Sequence, residues 1–286
     1  MKLAALRFEG RPRVVRVEDD GLHVLPAELA AAWPVPLADL ATLSLVPTEI
    51  VVDPEEVSEL LPPVWSPEKI FCVGANYEAH RIEMGRDAPP HPLVFMRTAM
   101  TLRGHGQPLW RPPESEQFDY EGEVAVVIGR PGRRIPAAEA WNHVAGLSAF
   151  QDATVRDWQR HSSQFTGGKN FDATGGFGPW IETSDELEEP SDVTLETRVN
   201  GELRQSGVLS DLTFAIPALV AYISTFATLV PGDVIVTGTP SGVGHAREPP
   251  AYLRAGDEVE VKVGRVGALL NPIIDDPLSA APPGAP

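Results

Sequence analysis

A single cysteine, Cys72, stands among 286 residues, so no disulfide can form within the chain. That suits a reducing compartment and makes the cytoplasm the expected location. Cys72 sits in Ile70-Phe71-Cys72-Val73, which reads as a buried, inert thiol rather than a nucleophile. Basic residues are also scarce: 23 Lys and Arg stand against 40 Asp and Glu, a formal charge of −17. A nucleic-acid partner needs clustered cations for its phosphates, so that class is excluded. The acidity by itself points to solubility, not to a substrate. Long apolar runs are missing, and none approaches the roughly 18 residues that span a bilayer. The start, Met1-Lys2-Leu3-Ala4-Ala5-Leu6-Arg7, returns to charge too soon for a signal peptide. No internal repeat is evident.

What the chain has is proline (29) and glycine (25), which predict many turns, and a hydrophobic share of 43%, which supports a real core. Its length suits one large domain, or one with a small appendage. Residues 1–65 read as a small β domain and linker. Short strands are expected at Leu3–Phe8, Arg13–Val17 and Leu22–Val24, with turns at Glu9-Gly10 and Asp20-Gly21. Leu45–Val52 is a further apolar run, and the Pro-rich Leu61–Pro67 reads as a linker. The body, residues 66–275, is mainly β: Ile70–Val73, Val124–Ile128, Val234–Thr237 and Val259–Val263 are strand-like. Two helices are expected, Tyr77–Met84 between an Asn76 N-cap and a Gly85 C-cap, and Phe214–Phe226. Residues 276–286 form a tail, disordered from Ser279 on.

Two acidic segments carry the chemistry. Asp119-Tyr120-Glu121-Gly122-Glu123 opens the run Val124–Ile128, and Asp152 follows within Gln151-Asp152-Ala153-Thr154-Val155-Arg156-Asp157-Trp158-Gln159. Residues i and i+2 of a strand share a face, so Glu121 and Glu123 present paired carboxylates. Such a pair repels itself unless something positive holds it. A hard cation with Asp152 as third ligand is one reading, and the solvated face of an edge strand is the other.

His80 and Glu83 are three apart on the expected short helix, so they share a face and can form an acid–base pair. The competing reading is an ordinary amphipathic surface helix. Arg156 and Gln159 follow Asp152 at helical spacing; Arg156 could pair with a carboxylate there or with Asp157. His91, His105 and His143 have no partner pattern, whereas His161 and His245 lie near the motif segments and could touch substrate.

These motifs, with Gly168-Lys169-Asn170-Phe171-Asp172, Gly232 to Gly244 (Gly-Asp-Val-Ile-Val-Thr-Gly-Thr-Pro-Ser-Gly-Val-Gly), Asn76-Tyr77-Glu78-Ala79-His80 and Gly256-Asp257-Glu258-Val259-Glu260-Val261, occur in an order that resembles the fumarylacetoacetate hydrolase family over residues 66–273. The resemblance implies a mixed, mainly β, rolled fold with a few short helices, a homodimer, and a divalent ion (Mg²⁺ or Mn²⁺, with Ca²⁺ as an alternative) on Glu121, Glu123 and Asp152. It implies catalytic roles for His80, Glu83 and Lys169, the first two on a lid hinged at Gly85–Pro92. Tyr77, Arg156, Gln159 and Thr239 become candidate substrate contacts.

A 2,4-dioxo acid can chelate one hard cation through its carboxylate and adjacent keto oxygens. Cleaving the bond beside the keto group leaves an enolate, whose charge the cation and Lys169 can hold. The first expectation is therefore a metal-dependent hydrolase of acylpyruvate-type acids, with His80 activating water. The alternative is an isomerase or decarboxylase on 2-hydroxy-dienoates or oxaloacetate-like acids. A non-catalytic metal-binding protein is the third reading.

The chain departs from the family pattern at Gln151, where Asn is usual, and at Phe95-Met96-Arg97-Thr98, where Phe-Phe-Lys-Pro is usual. It departs again at Asn170–Gly176. Arg97 keeps the charge, and structural pairing is its plain role. These departures bear on the distal part of the substrate, not on the metal set.

Overall fold

In the computed structural model, which describes residues 1–48, 50–53, 57 and 60–280, the chain is mixed and mainly β. One large sheet runs in the order Ile50–Val52, Gly21–Val24, Arg11–Glu18, Lys2–Phe8, Gly175–Thr183, Val144–Asp152, Gly122–Ile128, Val234–Val236, Ile70–Gly74, Leu93–Arg97. A second sheet, Glu202–Val208, Thr194–Val199, Glu258–Val263, Gly267–Asp275, Leu109–Arg111, lies against it. Lys2–Phe8 pairs antiparallel with Gly175–Thr183, so the front strands extend the sheet of the body.

The strand Gly122–Ile128 is buried from end to end because it feeds two cores. Val124, Val126 and Ile128 pack with Leu195, Val261 and Leu269 of the second sheet. Ala125 and Val127 point the other way, toward Leu3, Val14, Leu37 and Phe177. A strand covered on both faces reads as a continuous apolar run. By the same alternation, Glu121 and Glu123 share the face of Ala125 and Val127. Gly122 between them has no alternative: a Cβ there would lie 1.9 Å from Thr197 Oγ1 in the second sheet.

Several local expectations change. Among the described residues of the Leu45–Val52 run, only Ile50–Val52 form a strand. Leu45 instead closes a helix, Leu40–Ser44, whose N-cap Asp39 accepts the Thr42 N–H at 3.0 Å. The Pro-rich Leu61–Pro67 stretch is docked, not free: Leu60 and Leu61 pair with Leu6 and Ala5, and Val64 is buried. The first short helix is Glu78–Glu83 with Tyr77 and Met84 as caps. Asn76 is not its cap, because its amide donates to the carbonyls of Thr237 (2.8 Å) and Phe214 (3.1 Å) and ties three segments together. The second helix spans Ile216–Phe226. Asp152 ends a strand, and only Arg156–Gln159 is helical. Of the expected tail, Pro277–Ala280 form a 3-10 turn, and residues 281–286 lie outside the described residues. Among the described residues, no helix is long and apolar enough to cross a membrane.

Candidate active site

The strand register brings the two acidic segments together. Gly122 stands opposite Gln151, and Asp152 N–H donates to the Glu121 carbonyl at 2.8 Å. Glu121, Glu123 and Asp152 thereby place carboxylate oxygens within 4.8 Å of one another, all three buried. Three cations surround them. Lys169, itself 1% exposed, reaches Glu121 Oε2 at 2.5 Å, Asp152 O at 2.9 Å and Asp152 Oδ2. Arg97 donates to Asp152 Oδ1, to Ala153 O (3.1 Å) and to Thr174 Oγ1 (2.8 Å). Arg156 pairs with Glu121 at 2.7 Å and with Asp119 at 2.8 Å.

Among the described residues, no Lys or Arg pairs with Glu123. One of its oxygens accepts the Gly238 N–H at 2.6 Å. Gly238 can offer that N–H because it takes φ +105°, and a Cβ there would press within 2.8 Å of Asn76 Cβ.

The electrostatics follow from this division. Burial alone would push Glu121 up, but Arg156, Lys169 and His80 outweigh it and hold its carboxyl far below the usual range. Burial pushes Glu123 well up, and Asp152 and Glu121 reinforce that push against Lys169. Desolvation would lower Lys169, yet the three carboxylates raise it, so it stays an ammonium. With Asp119 included, four buried carboxylates face three buried cations, which leaves one excess negative charge. A divalent cation fits this set: it meets an all-oxygen donor group, satisfies the carboxylate that has no side-chain partner, and turns the excess positive.

A cavity of about 30 Å³ opens on this cluster, lined by Glu121, Glu123, Asp152, Lys169, Arg156, Gln159, Thr239 and His80, with Arg86, Phe95 and Phe165 on its wall. His80 Nδ1 lies 3.1 Å from Glu83 Oε2, and Glu83 Oε1 accepts the Gly242 N–H at 2.8 Å. The His–Glu pair is thus anchored to the Thr239–Gly244 loop. Gln159 accepts from Arg156 at 3.3 Å.

Of the expected substrate contacts, Thr239 lines the cavity with its hydroxyl held by protein partners, whereas Tyr77 does not line it. The Thr239 hydroxyl donates to Gly122 O (2.8 Å) and accepts from Gln205 Nε2 (2.7 Å). Tyr77 is buried in the core and does not line the cavity, and burial pushes its phenol up. His245 does not line the cavity and contacts Arg160 and Tyr252, while His161 packs on Trp158.

Four supports escaped sequence reasoning. Asp119 accepts from Arg156 and from the Gly244 and His245 N–H groups, Gln205 braces Gly122 and Thr239, and Phe95 with Phe165 forms an aromatic wall. Asp119 could have been found, since it opens the acidic motif; the others have no local signature.

Comparison with known proteins agrees with this architecture. Residues 69–274 match the family described as Fumarylacetoacetate (FAA) hydrolase C-terminal. The chain is 46% identical over 215 residues to oxaloacetate tautomerase YisK of Bacillus subtilis, covering 74% of this chain and 71% of that protein. A solved fumarylacetoacetate hydrolase from Exiguobacterium antarcticum superposes with a TM-score of 0.82 at 34% identity, covering 96% of this chain and 100% of that one. A solved 5-carboxymethyl-2-hydroxymuconate delta-isomerase from Mycobacterium smegmatis gives 0.79 at 33%, covering 96% and 99%.

Proposed function

The chain belongs to the fumarylacetoacetate hydrolase family, and we propose that it is a divalent-metal-dependent isomerase that moves a proton between carbon and oxygen in an oxaloacetate-like 2-oxo acid. The observation that carries this reading is that His80, itself paired with Glu83, lines one small cavity together with a buried ammonium and a carboxylate triad. Similarity to a tautomerase at 46% identity favours it over carbon–carbon hydrolysis.

Glu121, Glu123 and Asp152 would hold Mg²⁺ or Mn²⁺. When bound, the ion supplies Lewis acidity at the acid's keto and carboxylate oxygens. The rest belongs to side chains. Lys169 holds a fixed positive charge on the side where the keto oxygen gains negative charge. His80 takes the proton from the carbon beside the keto group and returns it to that oxygen. The C–H bond breaks, a C=C bond forms and the C=O becomes C–O–H, with no water consumed and no change of oxidation state. Glu83 keeps His80 in one orientation and tautomer. Arg156 and Gln159 present the polar wall against which the acid lies.

We place the enzyme in the cytoplasm as a homodimer. The edge strand Leu93–Arg97 and the exposed Ile82, Met96, Met100 and Phe226 support a covered face.

The test is a product assay by NMR on oxaloacetate and acetylpyruvate, with and without Mg²⁺ or Mn²⁺. Accelerated keto–enol exchange of oxaloacetate that needs metal is the expected result. Metal-dependent cleavage of acetylpyruvate, or release of CO₂ from oxaloacetate, without faster exchange would overturn it.

A further inference from the structure

Two arginines line the cavity, and they differ in what holds them. Arg156 is held by Asp119, Glu121 and Gln159, so it cannot turn to a ligand without abandoning a buried carboxylate. Arg86 lines the same cavity and is half-buried. Among the described residues no carboxylate pairs with its guanidinium and no side-chain hydrogen bond is made by it, in a chain that carries 40 acidic residues. Its guanidinium lies over the Phe165 ring, 5.1 Å from the centroid. Phe165 in turn meets Phe95 edge-on at 5.4 Å, and Lys169 Nζ lies 5.1 Å from the Phe95 centroid on the triad side. The aromatic pair therefore separates two cations, one committed to the carboxylate cage and one facing the rest of the cavity. The charges around Arg86 are Glu121, which attracts it, and Arg156 and Arg160, which repel it; burial and these two arginines make its charged form costlier.

We propose that Arg86 is the specificity-determining residue that receives the distal carboxylate of the substrate, so that the site selects 2-oxo dicarboxylic over 2-oxo monocarboxylic acids. This rests on the reading of the cavity as a 2-oxo acid site. A half-desolvated guanidinium with a like-charged neighbourhood gains most from an incoming carboxylate, and its planar fork matches one bidentately. The placement also has a mechanical consequence. Arg86 is tied to the helix that carries His80, since Arg86 N–H donates to Arg81 O at 3.0 Å and Arg81 Nη1 donates to Arg86 O at 2.7 Å. A carboxylate held by Arg86 therefore draws the acid–base residue toward the same molecule.

The test separates binding from turnover by using inert 2-hydroxy acids. Malate and lactate share the chelating end, but only malate has the distal carboxylate. Calorimetry on the Mg²⁺-loaded protein should show malate preferred over lactate. Arg86→Ala should reduce that ratio on the order of 10–100-fold, the range of a charge-assisted contact. Arg86→Lys should restore part of it, and Arg86→Glu should lower malate affinity further. With oxaloacetate, Arg86→Ala should raise KM more than it lowers kcat. Should Arg86→Ala fold poorly by thermal unfolding, Arg86→Gln takes its place. A malate preference that survives in both neutral variants overturns the assignment even when oxaloacetate is turned over normally. A malate preference that Arg86→Ala removes, in a protein that fails to isomerise oxaloacetate, upholds Arg86 and removes only the tautomerase reading.

Discussion

Among the described residues, two clusters bring three potential metal-ligand atoms within 4.8 Å of one another. One is Glu18, Asp20 and His23 on the hairpin between Arg11–Glu18 and Gly21–Val24; the other is Glu121, Glu123 and Asp152. Each region even has a histidine paired with a carboxylate three residues away: His23 with Asp20 at 2.8 Å, and His80 with Glu83 at 3.1 Å. The local geometry is similar, and the surroundings are opposite. The Asp20 side chain is 73% exposed and Glu18 is 43% exposed, so water completes their shells and Arg16 takes one Glu18 oxygen. In the other cluster water has been replaced by three buried cations, and one carboxylate still lacks a charged partner. Ligand spacing alone therefore does not make a metal centre here; charge left over after burial does.

The largest expected effect is loss of the metal from the buried cluster alone. EDTA should abolish activity and Mg²⁺ or Mn²⁺ should restore it. Asp152→Asn and Glu121→Ala should each weaken metal binding by more than about 100-fold, beyond the 10–100-fold typical of a ligand's hydrogen-bonding partner. Calorimetry measures this directly. Full activity of a metal-free variant, or an equal loss of metal affinity in Glu18→Ala or Asp20→Ala, would erase the distinction between the two regions.

The two His–carboxylate pairs give the next test. His80→Ala should lower turnover on oxaloacetate by roughly 10²–10⁴, the usual share of a positioned acid–base group, while metal affinity stays close to the parent value. Glu83→Gln should act in the same direction and less strongly, because the shape and the contact to Gly242 persist. His23→Ala should leave turnover at the parent rate. Parent-rate turnover in His80→Ala would mean that the buried pair is as idle as the exposed one.

How far this contrast could be read from sequence depends on the distance over which each contact closes. The shared face of Glu121 and Glu123 follows from the two-residue period, and the continuous apolar run after them signals burial. Asp152 needs a strand register that spacing does not supply, so as a third ligand it stays one of two open readings until the ordered family motifs are added. Lys169 was legible the same way. Arg97 was left with a plain structural role because its partner lies 55 residues away, and only the folded sheet makes it a clamp on Asp152. Asn76 looked like a helix cap because its local context allows one, yet its amide is spent on carbonyls 138 and 161 residues away. The apolar run Leu45–Val52 left its conformation open: such a run has no intrinsic period, and the helix capped by Asp39 ends at Ser44, just before it.

Within the buried cluster, neighbours on one strand should respond in opposite directions when the metal is absent. Glu123 is raised in the folded protein by burial and by Asp152, above its ordinary value of 4.5. A carboxyl raised on folding binds its proton more tightly in the native state. Its unfavourable contribution is therefore absent at acid pH and grows as pH climbs through the folded value. Glu121, held low by Arg156 and Lys169, contributes stability above the unfolded value and loses it as pH falls through the folded one. In EDTA at pH 7, Glu123→Gln should be more stable than the parent by about 1–3 kcal/mol, since it removes a charge that burial penalises. Glu121→Gln should be less stable. Thermal unfolding across pH checks both, and equal shifts of the same sign would show that the three cations serve the two glutamates alike.

The smallest effect belongs to the hairpin, and its smallness is the point. His23 holds Asp20 below its ordinary range through their hydrogen bond, yet Asp20 is on the surface, where water and salt screen the pair. Asp20→Asn keeps an acceptor for His23 and removes only a screened charge. Its stability should stay close to that of the parent, as for most surface changes. The residual shift should shrink further as salt rises from 0.05 to about 0.5 M, because the Debye length falls below the spacing of exposed charges. Denaturant unfolding at the two salt concentrations measures both. A clear loss of stability that salt does not reduce would mean that Asp20 is shielded from solvent in the working protein, by a partner or by an ion. The hairpin would then have to be counted with the buried cluster instead of against it.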